Sequence, residues 1–277
     1  MTEEAGPLRA RTLPRSMVPG RGPVAGRHDY SDAMEATSGT TQAVSSGTAP
    51  AVPAATAPAV PAATVPADHP GINELLTLLA YGEVAAFYRL TEEARMAPDL
   101  RGRINMARMA AAQMGHFELL RATLESRGVD VLPAITRYAP ALEQYHRLTT
   151  PSTWLEALVK TYVGDAMAAD LYLAIASSLP PEVADVVRAV LAETVHSQFV
   201  VSEVVSAVTA SGRQRSRLAL WSRRLLGEAI TQAQYILAEH DELVDLVLAG
   251  GGLGQVTDLF DRVQRTHDER MRQLRLA

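Results

Sequence analysis

From Gly71 to the end of the chain apolar side chains recur every three or four residues, and proline is nearly confined to the ends of these periodic stretches. That spacing puts apolar groups on one stripe of a helix, whereas a half-buried strand would alternate every second residue. The segment therefore reads as all-α. Six helices are expected, over residues 72–96, 98–127, 152–178, 180–210, 215–248 and 255–275. Pro98 and Pro181 stand where the first turn of a helix tolerates proline, and Gly128 and Gly250 stand where helices commonly stop. Residues 127–151 carry Pro133, Pro140 and Pro151 and are too long for a tight turn. They read as a crossover between helices 2 and 3 of a four-helix bundle, with two additional C-terminal helices after it.

The first 69 residues differ in kind. An Arg/Pro/Gly-rich stretch leads into Ser/Thr/Gly and then two near-copies of Ala-Pro-Ala-Val-Pro-Ala-Ala-Thr over residues 49–64. Such sequence buries too little apolar surface to offset chain entropy, so residues 1–69 are expected to be a disordered Ala/Pro/Thr-rich tail beside a helical domain of residues 70–277. No apolar run follows the early arginines, and Glu3 and Glu4 are unlike a transit peptide, which points to the cytoplasm. Apolar residues make up 47 % of the chain, enough for a sizeable core, yet no run approaches the roughly 20 residues of a membrane span. With zero cysteines, disulfides and thiolate metal sites are excluded, so any metal must be held by His and carboxylate. A net charge of -5 argues against non-specific nucleic-acid binding by the whole chain. All basic residues except Lys160 are Arg, which reads as codon usage in a GC-rich genome.

Polar residues interrupt four of the apolar stripes. The first helix gives Leu76, Leu79, Glu83, Phe87, Leu90, and the second Met106, Met109, Gln113, His116, Leu120. The third gives Leu158, Tyr162, Asp165, Ala169, Tyr172, and the fourth Val186, Val190, Glu193, His196, Val200. A buried, unpaired carboxylate is costly, and a divalent cation shared between the helices would remove that cost. The spacing repeats: Glu83 to Gln113 is 30 residues, Asp165 to Glu193 is 28, and glycine precedes the acid in both Gly82-Glu83 and Gly164-Asp165. An isolated Glu-x-x-His arises by chance. One acid from each of two helices plus an (i, i+3) carboxylate-histidine pair from the other two is instead the ligand pattern of di-iron and di-manganese bundles.

The run Tyr81-Gly82-Glu83, then Ala85 to Leu90, Met109 to Leu120 ending in Gly115-His116-Phe117-Glu118-Leu119-Leu120, and the segments 158–165 and 225–234 resemble the ferritin-like tRNA 2-methylthio-isopentenyladenosine hydroxylases, in particular their actinobacterial relatives. The resemblance covers most of the chain from Ile72 onward. It implies that Glu83, His116, Asp165, Glu193 and His196 occupy ligand positions, Glu193 bridging and the others terminal. Gln113 departs from the pattern, which has glutamate there. Three carboxylates leave two ferrous ions with one uncompensated positive charge, so the second metal position is expected to be weak. Glu118 cannot replace Gln113, because five residues along a helix is about 140° away.

The expected activity is that of a non-haem di-iron, dioxygen-dependent hydroxylase or oxidase. It would hold two iron ions, or manganese, take electrons from an external donor, and act through the metal ligands alone. A prenylated tRNA base is the substrate that the resemblance implies, and a homodimer is compatible with the sequence. Two other classes stand beside this one: a ferritin-like iron-oxidising or storage protein, and a metal-poor, non-catalytic helical bundle in which Gln113 marks a decayed site. Phe87, Met114, Phe117 and Phe199 are candidate pocket residues. Tyr88, Tyr162 and Tyr172 fit either hydrogen-bond donors to the ligands or core. Arg213, Arg215, Arg217, Arg223 and Arg224 fit either a phosphate-binding strip or a solvated helix start, and Gly250 to Gly254 reads as a turn.

Overall fold

The computed structural model describes residues 65–192, 196–249 and 252–277. The chain divides into two units, residues 1–55 and 56–277, and all described residues belong to the second. They are helical, with no strand among them. The helices are α1 (Pro70–Glu93), α2 (Leu100–Ser126), α3 (Val131–Thr136), α4 (Ala139–Leu148), α5 (Trp154–Val159), α6 (Asp165–Ala176), α7 (Pro181–Val190), α8 (His196–Ala210), α9 (Gly212–Glu239), α10 (Asp241–Ala249) and α11 (Gly252–Gln273). A single π-helical turn, Lys160–Gly164, joins α5 to α6 without a break.

Helix starts follow local chemistry. The Asp99 side chain accepts from the Gly102 N–H at 2.8 Å, Thr153 from Glu156 and Ser211 from Gln214, so each satisfies an amide that has no partner within its helix. The α1–α2 pair is the first hairpin, and α5–α6 with α7 and α8 forms the second. The expected crossover is present and carries two short helices, α3 and α4, seated by Tyr138, which is fully buried and donates its hydroxyl to Glu74 at 2.5 Å. Two helix bounds are corrected. The fourth helix, expected unbroken over 180–210, ends at Val190. The fifth, expected over 215–248, breaks at His240, whose ring lies 4.4 Å from that of Tyr138. That break lets α10 fold back onto α1, where a β-carbon on Gly71 would stand 2.2 Å from the Glu242 carbonyl oxygen. Only glycine permits so close an approach.

The apolar interior is two clusters rather than one. The first holds Leu75, Leu76, Leu120, Leu124 and Leu246, and the second Leu90, Met106, Leu158, Leu218 and Leu225. Along α1 and α2 the polar positions Glu83, Gln113 and His116 fall between the residues given to one cluster and those given to the other. The bundle therefore has a polar layer at mid-height.

The fold also begins earlier than residue 70. Val65 is buried and its N–H donates to the Ser178 carbonyl, the Ala67 carbonyl accepts from Arg127, and the His69 ring caps α1 through the Gly71 N–H. Residues 1–64 of the expected tail lie outside the described residues. A chain starting at residue 70 is expected to melt below one starting at residue 65. Losing the burial of Val65 costs about 2 kcal/mol and losing the cap about 1 kcal/mol. That corresponds to roughly 6–12 °C for a domain of this size. Equal melting temperatures for the two truncations would refute this account of the boundary.

Candidate functional site

Glu83 on α1 and His116 on α2 meet in the polar layer, with Glu83 Oε2 3.2 Å from His116 Nδ1. Glu83 is buried, and that burial pushes its carboxyl above the usual range; the bond to His116 works in the opposite direction. Both line a cavity of about 270 Å³ whose wall also includes Gln113 and Asp165. Four of the six residues expected at a metal centre are thus brought to one cavity. Glu193 lies outside the described residues. His196 is the first residue of α8, and its side chain is likewise outside them.

Asp165 is engaged in a way the sequence reading did not foresee. Arg89 on α1 donates to both of its oxygens, at 2.8 and 2.9 Å, and also to Glu93 Oε2 and Thr161 Oγ1, each at 3.0 Å. Both contacts to Asp165 come from the one nitrogen Nη2, a charge-assisted bond shared between the two carboxylate oxygens, while Nη1 serves Glu93 and Thr161. Burial alone would pull the guanidinium down, but Asp165 and Glu93 more than offset it and hold Arg89 above its ordinary value. Asp165 lies deep in the bundle, yet 44 % of its side chain is accessible because it faces the cavity. Its depth pushes the carboxyl up and Arg89 opposes the shift.

The π turn explains why Asp165 faces Arg89. One extra residue in a helical turn advances the following side chains by about 100°. Tyr162 and Asp165 both line the cavity, and Tyr162 also donates to Gln273 on the C-terminal helix. Gly164, the last residue of the turn, lets the Tyr145 hydroxyl come close: a β-carbon there would stand 3.1 Å from it. Beside Gly82 there is open space, so the glycine before Glu83 has no matching role.

Two donors 3.2 Å apart are also the separation found when both bind one divalent ion at about 2.0–2.2 Å. Glu83 and His116 therefore fit one ion. A pair of ions fits less well, because Gln113 is neutral and both oxygens of Asp165 are bonded to Arg89. Among the described residues there is no group of three His, Asp or Glu side chains close enough to hold a metal.

Several other expectations are settled by geometry. Glu118 is on the surface, paired with Arg121, as its helical angle required. Phe87, Met114, Phe117 and Phe199 do not line the cavity and pack in or against the two apolar clusters. Tyr88 is exposed, whereas Tyr172 is buried and lines the cavity. Of the five arginines in the basic stretch, Arg217 pairs with Glu156 at 2.8 Å, and Arg224 donates to the Leu148 carbonyl and lies over the Trp221 ring. No described helix is long and apolar enough to cross a membrane.

Two helical hairpins joined by a crossover, with carboxylate and imidazole facing a cavity at mid-bundle, define a ferritin-like protein. The family described as "Ferritin-like domain, actinomycetes" matches residues 68–250, which is 183 of the chain's 277 residues, and the chain belongs to it. No curated protein matches the sequence.

Proposed function

We propose that this ferritin-like protein is a metal-dependent oxidase or hydroxylase that uses dioxygen and holds one divalent iron or manganese ion tightly, at Glu83 and His116, and a second weakly. The observation that carries the reading is the 3.2 Å pairing of Glu83 with His116 in the wall of a cavity. When bound, such a metal supplies one-electron chemistry toward dioxygen that no amino-acid side chain provides. The chain's own part is to present one carboxylate and one imidazole to the ion in a polar layer flanked by the two apolar clusters. Glu193 and His196, by their place in the sequence, are the donors proposed to complete the site.

A prenylated tRNA base is the substrate suggested by the sequence resemblance. The basic stretch lends it little, since Arg217 and Arg224 are turned to internal partners.

A metal-poor bundle is the second reading, favoured by the Arg89–Asp165 ion pair, which neutralises one expected ligand with a built-in cation. Metal analysis separates the two. Protein purified from iron-supplemented cells is expected to carry about one iron per chain, and Glu83→Ala or His116→Ala to lower that content roughly tenfold. Iron content near zero in the wild type, or unchanged in both variants, would favour the metal-poor bundle.

A further inference from the structure

A second cavity, of about 410 Å³, has Arg89 in its wall and shares His146 with the first. Its rim carries exposed Tyr88, Glu92 and Glu143, and its floor is formed by buried Arg89, Glu93 and Lys160. Lys160 is only 2 % exposed and is the sole lysine of the chain, the other 25 of 26 basic residues being Arg. Its nearest carboxylate oxygen, Glu93 Oε1, is 3.9 Å away, which is too far for a hydrogen bond. Glu93 already receives one from Arg89 at 3.0 Å. The Tyr145 ring centroid lies 5.7 Å from the Lys160 nitrogen.

A cation required only to balance Glu93 could be arginine, as at every other basic position of this chain. Lysine differs in that it can shed its proton and attack carbon. Charge in the cavity then selects the electrophile. Arg89 and Lys160 are matched by Glu93 and Asp165, and Glu92 and Glu143 at the rim add negative charge, so an anion is repelled and a neutral carbonyl is admitted. Carbon dioxide is also neutral, but a carbamate would replace the positive charge beside Glu93 with a negative one. A protonated imine keeps it.

We propose that Lys160 is a nucleophilic lysine that binds small aldehydes or ketones from this cavity as an imine. The lone pair of the deprotonated Nζ forms the new bond to the carbonyl carbon, the C=O π electrons move to oxygen, and that oxygen gains a proton. The resulting carbinolamine loses water as the nitrogen lone pair closes the C=N bond, so one carbonyl and one amine yield one imine and one water, with no net redox change. His146 lines the same cavity, but burial first, and Arg89 and Lys160 with it, push its imidazole far below the usual range, so it stays neutral and the proton is exchanged with solvent. Burial pushes the Lys160 ammonium down to about 8, with Arg89 acting in the same sense and Glu93 and Asp165 opposing.

The single lysine makes the test direct. The full chain is incubated with propanal and cyanoborohydride near pH 8, which reduces an imine to a secondary amine, and its peptides are weighed. Apart from Lys160, only the chain's α-amino group competes. A propyl group on the Lys160 peptide is expected to form about tenfold faster than on the α-amino group, to saturate with propanal concentration, and to be lost in Lys160→Arg. Labelling confined to the α-amino group, labelling of Lys160 only in urea, or a rate linear in propanal would each overturn the proposal and leave Lys160 as a counter-charge to Glu93. None of these outcomes depends on metal content.

Discussion

Replacing Arg89 with methionine is expected to lower the melting temperature by roughly 6–12 °C. The guanidinium is the common partner of Asp165, Glu93 and Thr161, and its removal leaves two carboxylates in the polar layer with only Lys160, 3.9 Å from Glu93, to balance them. Breaking a buried ion pair from one side costs about 3–5 kcal/mol, and the lower end applies because Asp165 is partly open to the cavity. About 3 kcal/mol corresponds to the stated shift for a domain of this size. Adding Asp165→Asn to the methionine variant should recover part of the loss, since the uncompensated charge is then gone. A melting temperature within a degree or two of wild type would show that solvent in the cavities neutralises these groups and that the ion pair contributes nothing measurable.

Gln113→Glu is expected to reverse its effect with metal. Without metal the new carboxylate joins Glu83 and Asp165 in the wall of one cavity, and like charges there should lower stability. With ferrous or manganous ion present, the same charge should move the midpoint of metal loading to about tenfold lower concentration, equivalent to about 1.4 kcal/mol, and raise the iron content above one per chain. Thermal melts with and without metal, run beside metal analysis, read both signs. A drop in melting temperature under both conditions with no gain in metal would support the metal-poor bundle. Two tightly bound irons in the wild type, reduced by the substitution, would instead make Gln113 a functional ligand.

The helices and the polar layer were legible because both are recorded locally. Apolar spacing of three and four marks a helix wherever it occurs, and a carboxylate inside such a stripe must be paired, whatever the stripe packs against. Glu83, Gln113 and His116 therefore reach one cavity as their positions required, and Asp165 joins them through the π turn that precedes it. The crossover was seen as a long connection, but its two helices were not. Their seat is Tyr138 held between Glu74 and His240, residues 64 and 102 positions away along the chain.

What the tertiary structure alone decided is how the charges in that layer are balanced. By sequence alone Arg89 and Glu93 carry no assigned role, and Lys160 stands out only as the one basic residue that is not Arg. Neither observation contains the π turn at Lys160–Gly164, which rotates Asp165 toward Arg89 and leaves Lys160 at the floor of its own cavity. A one-residue change of helical phase costs little and leaves almost no mark in composition or period. Its effect appears only when two helices face each other, because an ion pair depends on distances across the bundle and the apolar pattern depends on distances along the chain.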